Sequence, residues 1–302
     1  MSLFTGSLQL GLIYALLALG IFISFRILNI PDLTADGSFT FGLAVSAAMT
    51  AIGKPVEGIL VATVCGALAG MTTGALQTKL SIHPILSGII TMSSLYTINL
   101  FVLGSRSNLT LIGNETIFTF FVNVMDMEKE LVRTLIPLLF CAGLTVLLWW
   151  FFKTHLGLCI RATGNNEAMV RASSINVDAM KITALAVSNA CVALSGAVLA
   201  QYQGFADISS GVGIMVVGLA SAIIGEVFFG RKSIGVGLIS AIFGSLVYRF
   251  IIALALRSDF FPAYALKLVS AVIVALALSL PVIKERISKM KTRREAQKNA
   301  DA

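Results

Sequence analysis

The sequence predicts an all-α fold: a polytopic membrane bundle of about eight to ten spans, with an inverted repeat and broken helices. Three observations point there. First, 57% of the 302 residues are hydrophobic and only 12% are charged, against about 25% charged in a soluble domain. Second, mean hydropathy is +0.92, and the apolar residues fall in runs long enough to cross a bilayer. Third, two polar runs interrupt these segments in mid-course. No stretch outside the runs is long enough to fold a core of its own. Residues 1–283 therefore read as one transmembrane domain and residues 284–302 as a basic tail.

The elements follow in order. Residues 7–27 are the first apolar run. Residues 29–42 then carry Asp32, Thr34, Asp36, Ser38 and Thr40 together with Pro31 and Gly37. In lipid such a break persists only inside protein or along a water-filled path, and ionisable residues there are functional-site candidates. Residues 37–52 make a short second helix. Residues 58–77 form a third span with a small-residue face, Gly66, Ala67, Ala69, Gly70 and Gly74, suited to close helix packing. Residues 85–104 are the fourth span. Residues 105–132 read as the longest polar connection. Residues 133–152 are the fifth span, ending in Trp149 and Trp150, as an interfacial belt requires.

Residues 153–178 form a basic loop in which Asn165 or Asn166 can cap a short helix running through Arg171. Residues 182–199 are the sixth span. A second polar break, residues 201–211, holds Tyr202, Gln203, Asp207 and Ser209. Residues 212–229, 233–256 and 262–282 complete nine spans.

Charge placement orients the chain. Net charge is +7. With the basic tail in the cytoplasm, 15 of the 22 Lys and Arg residues fall on the inner side, the acidic 105–132 connection falls outside, and the N-terminus is outside. The N-terminus carries no leader-like pattern and reads as a retained first span. The tail reads as a membrane anchor, and no recognition module for nucleic acid accompanies the basic residues. Cys65, Cys141, Cys159 and Cys191 form no CxxC pair and read as small buried apolar residues. No metal-ligand spacing is present.

The two breaks match. Asp-x-Thr-x-x-Gly (Asp32 to Gly37) and Asp-x-Ser-x-Gly (Asp207 to Gly211) each follow an apolar helix and precede a short glycine-bearing one. On the assigned topology they enter from opposite sides, the pattern of an inverted repeat whose broken helices meet near the midplane. Within the breaks each aspartate has two readings. It caps the short helix through backbone N–H groups, or it lines a pathway, where it would meet an ammonium group. Tyr202 and Gln203 divide between interface packing and solute contact. Glu226 reads as an ion-pair partner of Arg231 or Lys232, and Arg249 as a group that snorkels or meets a carboxylate.

Residues 157–168 (GLCIRATGNNEA), followed by 172–177, resemble the cytoplasmic signature of ABC-importer permeases of the branched-chain amino acid type. Residues 11–20 (GLIYALLALG) resemble that family's first helix. Residues 32–39 (DLTADGSF), 200–207 (AQYQGFAD) and 218–226 (GLASAIIGE) are similar to a subgroup often assigned to tryptophan, tyrosine or other amino-acid-like solutes. Where the branched-chain permeases have a histidine–glycine pair after the first helix, this chain has Asp36-Gly37, which points away from branched-chain amino acids as solute.

The resemblance implies a bacterial cytoplasmic-membrane protein, a subunit that hydrolyses no ATP itself. It implies a dimer of permeases, a homodimer in preference to a heterodimer, driven by two separate cytoplasmic ATPases that hold ATP and Mg. An external lipid-anchored binding protein would deliver the solute. The absence of a G-x-x-x-x-G-K-[ST] phosphate loop agrees with that division. The resemblance also implies that Arg161, Gly164, Asn165, Asn166, Glu167, Ala168, Met169 and Arg171 form the coupling helix that docks on the ATPase. Asp32, Thr34, Asp36, Ser38, Thr40, Tyr202, Gln203, Asp207 and Ser209 are then the expected solute pathway. The alternative is an ion-coupled secondary transporter that needs no ATPase. An intramembrane aspartyl protease needs two aspartates on facing helices; Asp32 and Asp36 lie four apart in one segment.

Overall fold

The computed structural model describes residues 3–125, 127–230 and 233–257, with isolated helical positions between 268 and 279. Most of the expected ninth span, the basic tail, and Arg231 and Lys232 lie outside the described residues. Helix α1 (Leu3–Ile21) runs on as a π-helical turn, Phe22–Ile27. It is followed by α2 (Thr34–Ala51), α3 (Pro55–Lys79), α4 (Pro84–Val102), α5 (Ile117–Met125) and α6 (Lys129–Phe151). Two short helices, α7 (His155–Asn165) and α8 (Glu167–Ala172), precede α9 (Val177–Gln203), α10 (Ile214–Phe229) and α11 (Ile234–Arg257). One two-stranded antiparallel pair, β1 (Asn108–Thr110) with β2 (Phe205–Asp207), closes one end of the bundle. The α7–α8 pair lies at the opposite end.

Among the described residues six helices are long and apolar enough to cross a membrane: α1 with its π turn, α3, α4, α6, α9 and α11. The chain is a multi-pass helical membrane protein. The outward faces of α3, α4 and α6 carry exposed Leu60, Val64, Leu68, Ile90, Leu139 and Val146, which is lipid-facing composition.

Helix α9 is the axis on which the others are packed. Its residues from Leu185 to Gln201 are almost continuously buried, because α1, α2 and α3 all lie against it. Small residues make that approach possible. A Cβ on Gly66 would stand 2.3 Å from Ala193 Cβ, and one on Gly70 2.2 Å from the Leu185 carbonyl. Side chains cross-link the same surfaces. Ser46 Oγ donates to the Ala197 carbonyl (3.0 Å), and Ser195 Oγ donates to the Ile13 carbonyl (2.8 Å). Gln201 accepts from Ile117 N and donates to Ser46 Oγ and the Pro55 carbonyl, tying α5, α2 and α3 to α9. In a membrane, where apolar contact alone does not favour helix over lipid, such close packing and hydrogen bonding hold the bundle together.

Several boundaries differ from the sequence reading. The second helix begins at Thr34, three residues before the expected 37, so Asp36 is helical along with Ser38 and Thr40, and the break contracts to residues 28–33. Asp32 causes this: its Oδ1 accepts from Thr34 N at 2.9 Å and organises the first turn. Asn29 turns the chain with φ of +58°, a left-handed conformation that Asn tolerates. The second break contracts as well, since α9 runs through Gln203 and ends on Gly204, φ +77°. The expected 105–132 polar connection instead holds β1, α5 and the start of α6. Ile117 and Phe118 are buried there, an apolar signal hidden among polar neighbours.

Candidate functional site

The two breaks meet inside the bundle. Asp32 is 2% exposed, and its Oδ2 accepts from Asn189 Nδ2 at 2.6 Å. Asn189 lies twelve residues into α9, about 18 Å from its start at 1.5 Å per residue, so this contact is near the middle of that helix. Helix α2 starts at this level and runs toward the β1–β2 end, where Ser46 meets Gln201. Helix α10 starts one turn along α2 and runs the other way. Its Gly218 packs on Ile21, and its Glu226 reaches Arg26 at the far end of the π turn. The two short helices therefore stand N-terminus to N-terminus.

Asp36 joins them. It lies in the first turn of α2, and its carboxylate accepts from Gly213 N (2.9 Å) and Met215 N (2.8 Å) of α10. Each helix N-terminus carries roughly half a positive charge, so one carboxylate between two of them offsets both. Of the two readings of the aspartates, capping is observed for both, but Asp36 caps the other helix rather than its own. Gly211 permits the approach: a Cβ there would lie 2.2 Å from the Asp36 carbonyl and from Thr40 Oγ1.

A cavity of about 350 Å³ opens beside this junction. Asp36 and Thr40 line it, with Met92, Ser93, Tyr96 and Asn99 of α4 and with Ile208, Gly211 and Val212 of the second break. Asp36 is half-buried rather than sealed. Asn99 is 1% exposed and its side-chain oxygen has no hydrogen-bond partner among the described residues.

The other expected pathway residues are elsewhere. Thr34 belongs to a buried hydroxyl chain: its Oγ1 lies 2.7 Å from Thr73 Oγ1, Thr73 donates to Thr91 (2.9 Å), and Thr91 donates to the Ser87 carbonyl. Ser38 is fully buried, its hydroxyl without a partner among the described residues. Tyr202 donates to Gln9 Oε1 (2.7 Å), stacks edge-on to Phe118 and lies under Arg133. Gln203 donates to the Phe205 carbonyl. Asp207 accepts from the backbone N–H and the hydroxyl of Ser209 in a turn beside β2. These last four line no part of the cavity.

The residues that the sequence reading missed are Asn189 and the α4 set. Met92, Tyr96 and Asn99 recur at helical spacing on one face, a signal that was present but weak against the apolar background.

At the other end, Asn166 Oδ1 accepts from Met169 N (3.1 Å) and caps α8. Glu167 pairs with Lys181 (2.6 Å) and Arg171 with Asp178 (3.1 Å). Arg161, Asn165, Ala168 and Met169 face outward. A Cβ on Gly164 would stand 1.9 Å from the Ile27 carbonyl, so α7 rests directly on the end of the π turn. There Arg26 Nε meets Glu226 Oε1 at 2.5 Å. Glu226 thus pairs with a residue of the first span; the expected partners Arg231 and Lys232 lie outside the described residues. A second cavity of about 590 Å³ lies against this pair, walled by Arg161, Gly164 and Gly237. Among the described residues Arg249 meets no carboxylate; its guanidinium lies 3.6 Å from the Tyr14 ring centroid, a cation–π contact.

Comparisons with known proteins agree with this architecture. Residues 3–278 match the family described as branched-chain amino acid transport system / permease component. A tyrosine transport system permease of Clostridioides difficile is 36% identical over 265 residues, 87% of this chain and 86% of the relative. A D-allose transport system permease of Escherichia coli is 27% identical over 79% of this chain and 68% of its own length. A ribose import permease of Haemophilus influenzae is 25% identical over 70% and 64%. No solved structure matches. Paired short helices meeting inside a bundle of membrane-spanning helices, an exposed capped turn at α8 and a match over nearly the whole length lead to one assignment: the chain belongs to the branched-chain amino acid type of ABC-transporter permeases.

Proposed function

We propose that this chain is the permease subunit of an ABC importer and forms the translocation pathway for an amino acid or a similar small polar solute. One observation carries the reading. The half-buried Asp36 carboxylate and the irregular backbone of residues 208–213 stand near mid-bundle beside Thr40, Ser93 and Tyr96. Lipid does not tolerate such groups at that depth unless protein or water covers them. A second permease copy facing this surface across a water-filled path satisfies the requirement. The tyrosine permease relative supports an amino acid as solute.

The α7–α8 end is the cytoplasmic end in this reading, with the N-terminus outside and the tail inside. The exposed α8 tip, Met169 foremost at 66% exposure, docks on the ATPase. Because α7 abuts Ile27, a push on α8 is delivered to the π turn and the Arg26–Glu226 pair, which close the inner end of the path. Rigid-body transmission of this kind needs no deformation of the core. ATP and Mg belong to the ATPase partner, and an external lipoprotein supplies the solute.

Reconstitution tests this. The chain together with an ATPase and a binding protein encoded beside it is expected to accumulate L-tyrosine in proteoliposomes only when ATP is supplied. Uptake driven by a proton or sodium gradient through this chain alone would establish the secondary-transporter alternative instead.

A further inference from the structure

The cavity at the helix junction is lined by the Asp36 carboxylate, the hydroxyls of Thr40, Ser93 and Tyr96, and the side-chain amide of Asn99. The N-termini of α2 and α10 would by themselves attract an anion, but Asp36 already occupies that position and both of its oxygens are engaged by α10 N–H groups. A carboxylate has about four lone-pair sites, so acceptor capacity remains on the cavity side. Thr40 Oγ1 donates its hydrogen to the Asp36 carbonyl (3.1 Å) and offers only lone pairs to the cavity. Asn99 adds a buried side-chain oxygen with no partner among the described residues. Leaving such an atom unsatisfied costs about 1–3 kcal/mol, which a donor at this wall of the cavity would offset. Tyr96, 55% exposed, presents an aromatic ring, whose face attracts cations.

We propose that α4 completes an ammonium-recognising subsite here. The Asp36 carboxylate, the Asn99 side-chain oxygen and the Tyr96 ring take the protonated amine of the solute, and Met92, Ile208 and Val212 take its apolar side chain. The inference rests on the reading of this chain as a transport permease and adds to it the specificity residues Tyr96 and Asn99. The volume, about 350 Å³, is at the small end of ligand sites and suits one free amino acid rather than a peptide.

The test reads charge selectivity at the subsite. In the full chain in proteoliposomes, Ser93→Cys places a thiol at the cavity wall, in a Cys65→Ser background. Its labelling by 2-aminoethyl and by 2-sulfonatoethyl methanethiosulfonate is measured, each rate divided by that reagent's rate with a free thiol. The normalised ratio is expected to favour the ammonium reagent at least about tenfold. It is expected to fall toward one in Asn99→Leu and in Tyr96→Leu. Asn99→Leu removes an unpaired atom and Tyr96 is exposed, so both variants retain the thermal stability of the parent. A ratio near one in the parent, or one that neither variant changes, overturns the subsite. The readout needs no ATPase, so failure of the importer reading appears separately, as absent ATP-driven uptake with the labelling ratio intact.

Discussion

Asp32 and Asp36 stand four residues apart and do different work. Asp32 is a buried carboxylate held by Asn189 across the α2–α9 contact. Removing the donor leaves a buried acceptor unsatisfied, which is costlier than removing both partners. Asn189→Leu is therefore expected to cost about 1–3 kcal/mol, measured as loss of thermal or denaturant stability in detergent. Asp32→Asn in the same background is expected to recover part of that loss. Asp36→Ala strands two α10 N–H groups and is expected to cost about 2–4 kcal/mol. Gln201 is a third case: one side chain serves three elements, so its truncation loosens the β1–β2 end rather than a single contact.

At the scale of the element, α9 is a rod whose neighbours approach on glycine. Gly66, Gly70 and Gly74 of α3 each leave no room for a Cβ beside Ala193, Leu185 and Ile182. Gly66→Leu must push α3 off α9 and is expected to cost upward of about 1–3 kcal/mol. Gly143 of α6 is the control, with open space around it. Gly143→Ala gains helix propensity and is expected to stabilise by about 0.5–1 kcal/mol. Side-by-side melting of the two variants separates close packing from the general cost of altering a membrane helix. The π turn at the end of α1 has a comparable positional logic. It carries Arg26 toward Glu226 and leaves the Ile27 carbonyl against Gly164.

The whole molecule places its proposed pathway and its proposed coupling surface at different levels and joins them through α1 and α10. Both helices pass from the junction at Asp36 to the Arg26–Glu226 pair, so motion at the α8 tip has a short mechanical route to the crossing. The ion pairs on α8 do not form its docking chemistry alone, since Glu167 and Arg171 are engaged by Lys181 and Asp178 within the chain. Exposed pairs of that kind contribute about 0–1 kcal/mol. Met169 is the apolar knob left over. Met169→Asp is expected to leave stability within about 0.5 kcal/mol while weakening ATPase association more than about tenfold, read by co-purification and by uptake. Unchanged association would move the coupling contact away from α8.

Apolar run length, basic-loop placement and two polar breaks were legible in the chain itself, because membrane burial imposes composition on every span. They established a multi-pass helical bundle, and the small-residue face of α3 and the Asn166 cap were readable for the same local reason. The sequence also placed Asp32, Asp36 and Thr40 in a break worth attention. It could not say that α2 begins at Thr34, that Asp36 caps a helix 177 residues away, or that Glu226 pairs with Arg26. Nor could it gather Tyr96 and Asn99 to the same cavity, or send Tyr202, Gln203, Asp207 and Ser209 away from it. Those outcomes depend on which helix faces which, and that is decided by three-dimensional packing against α9. A carboxylate's partner is whatever donor the fold brings within hydrogen-bond reach, and its neighbours in sequence do not choose it.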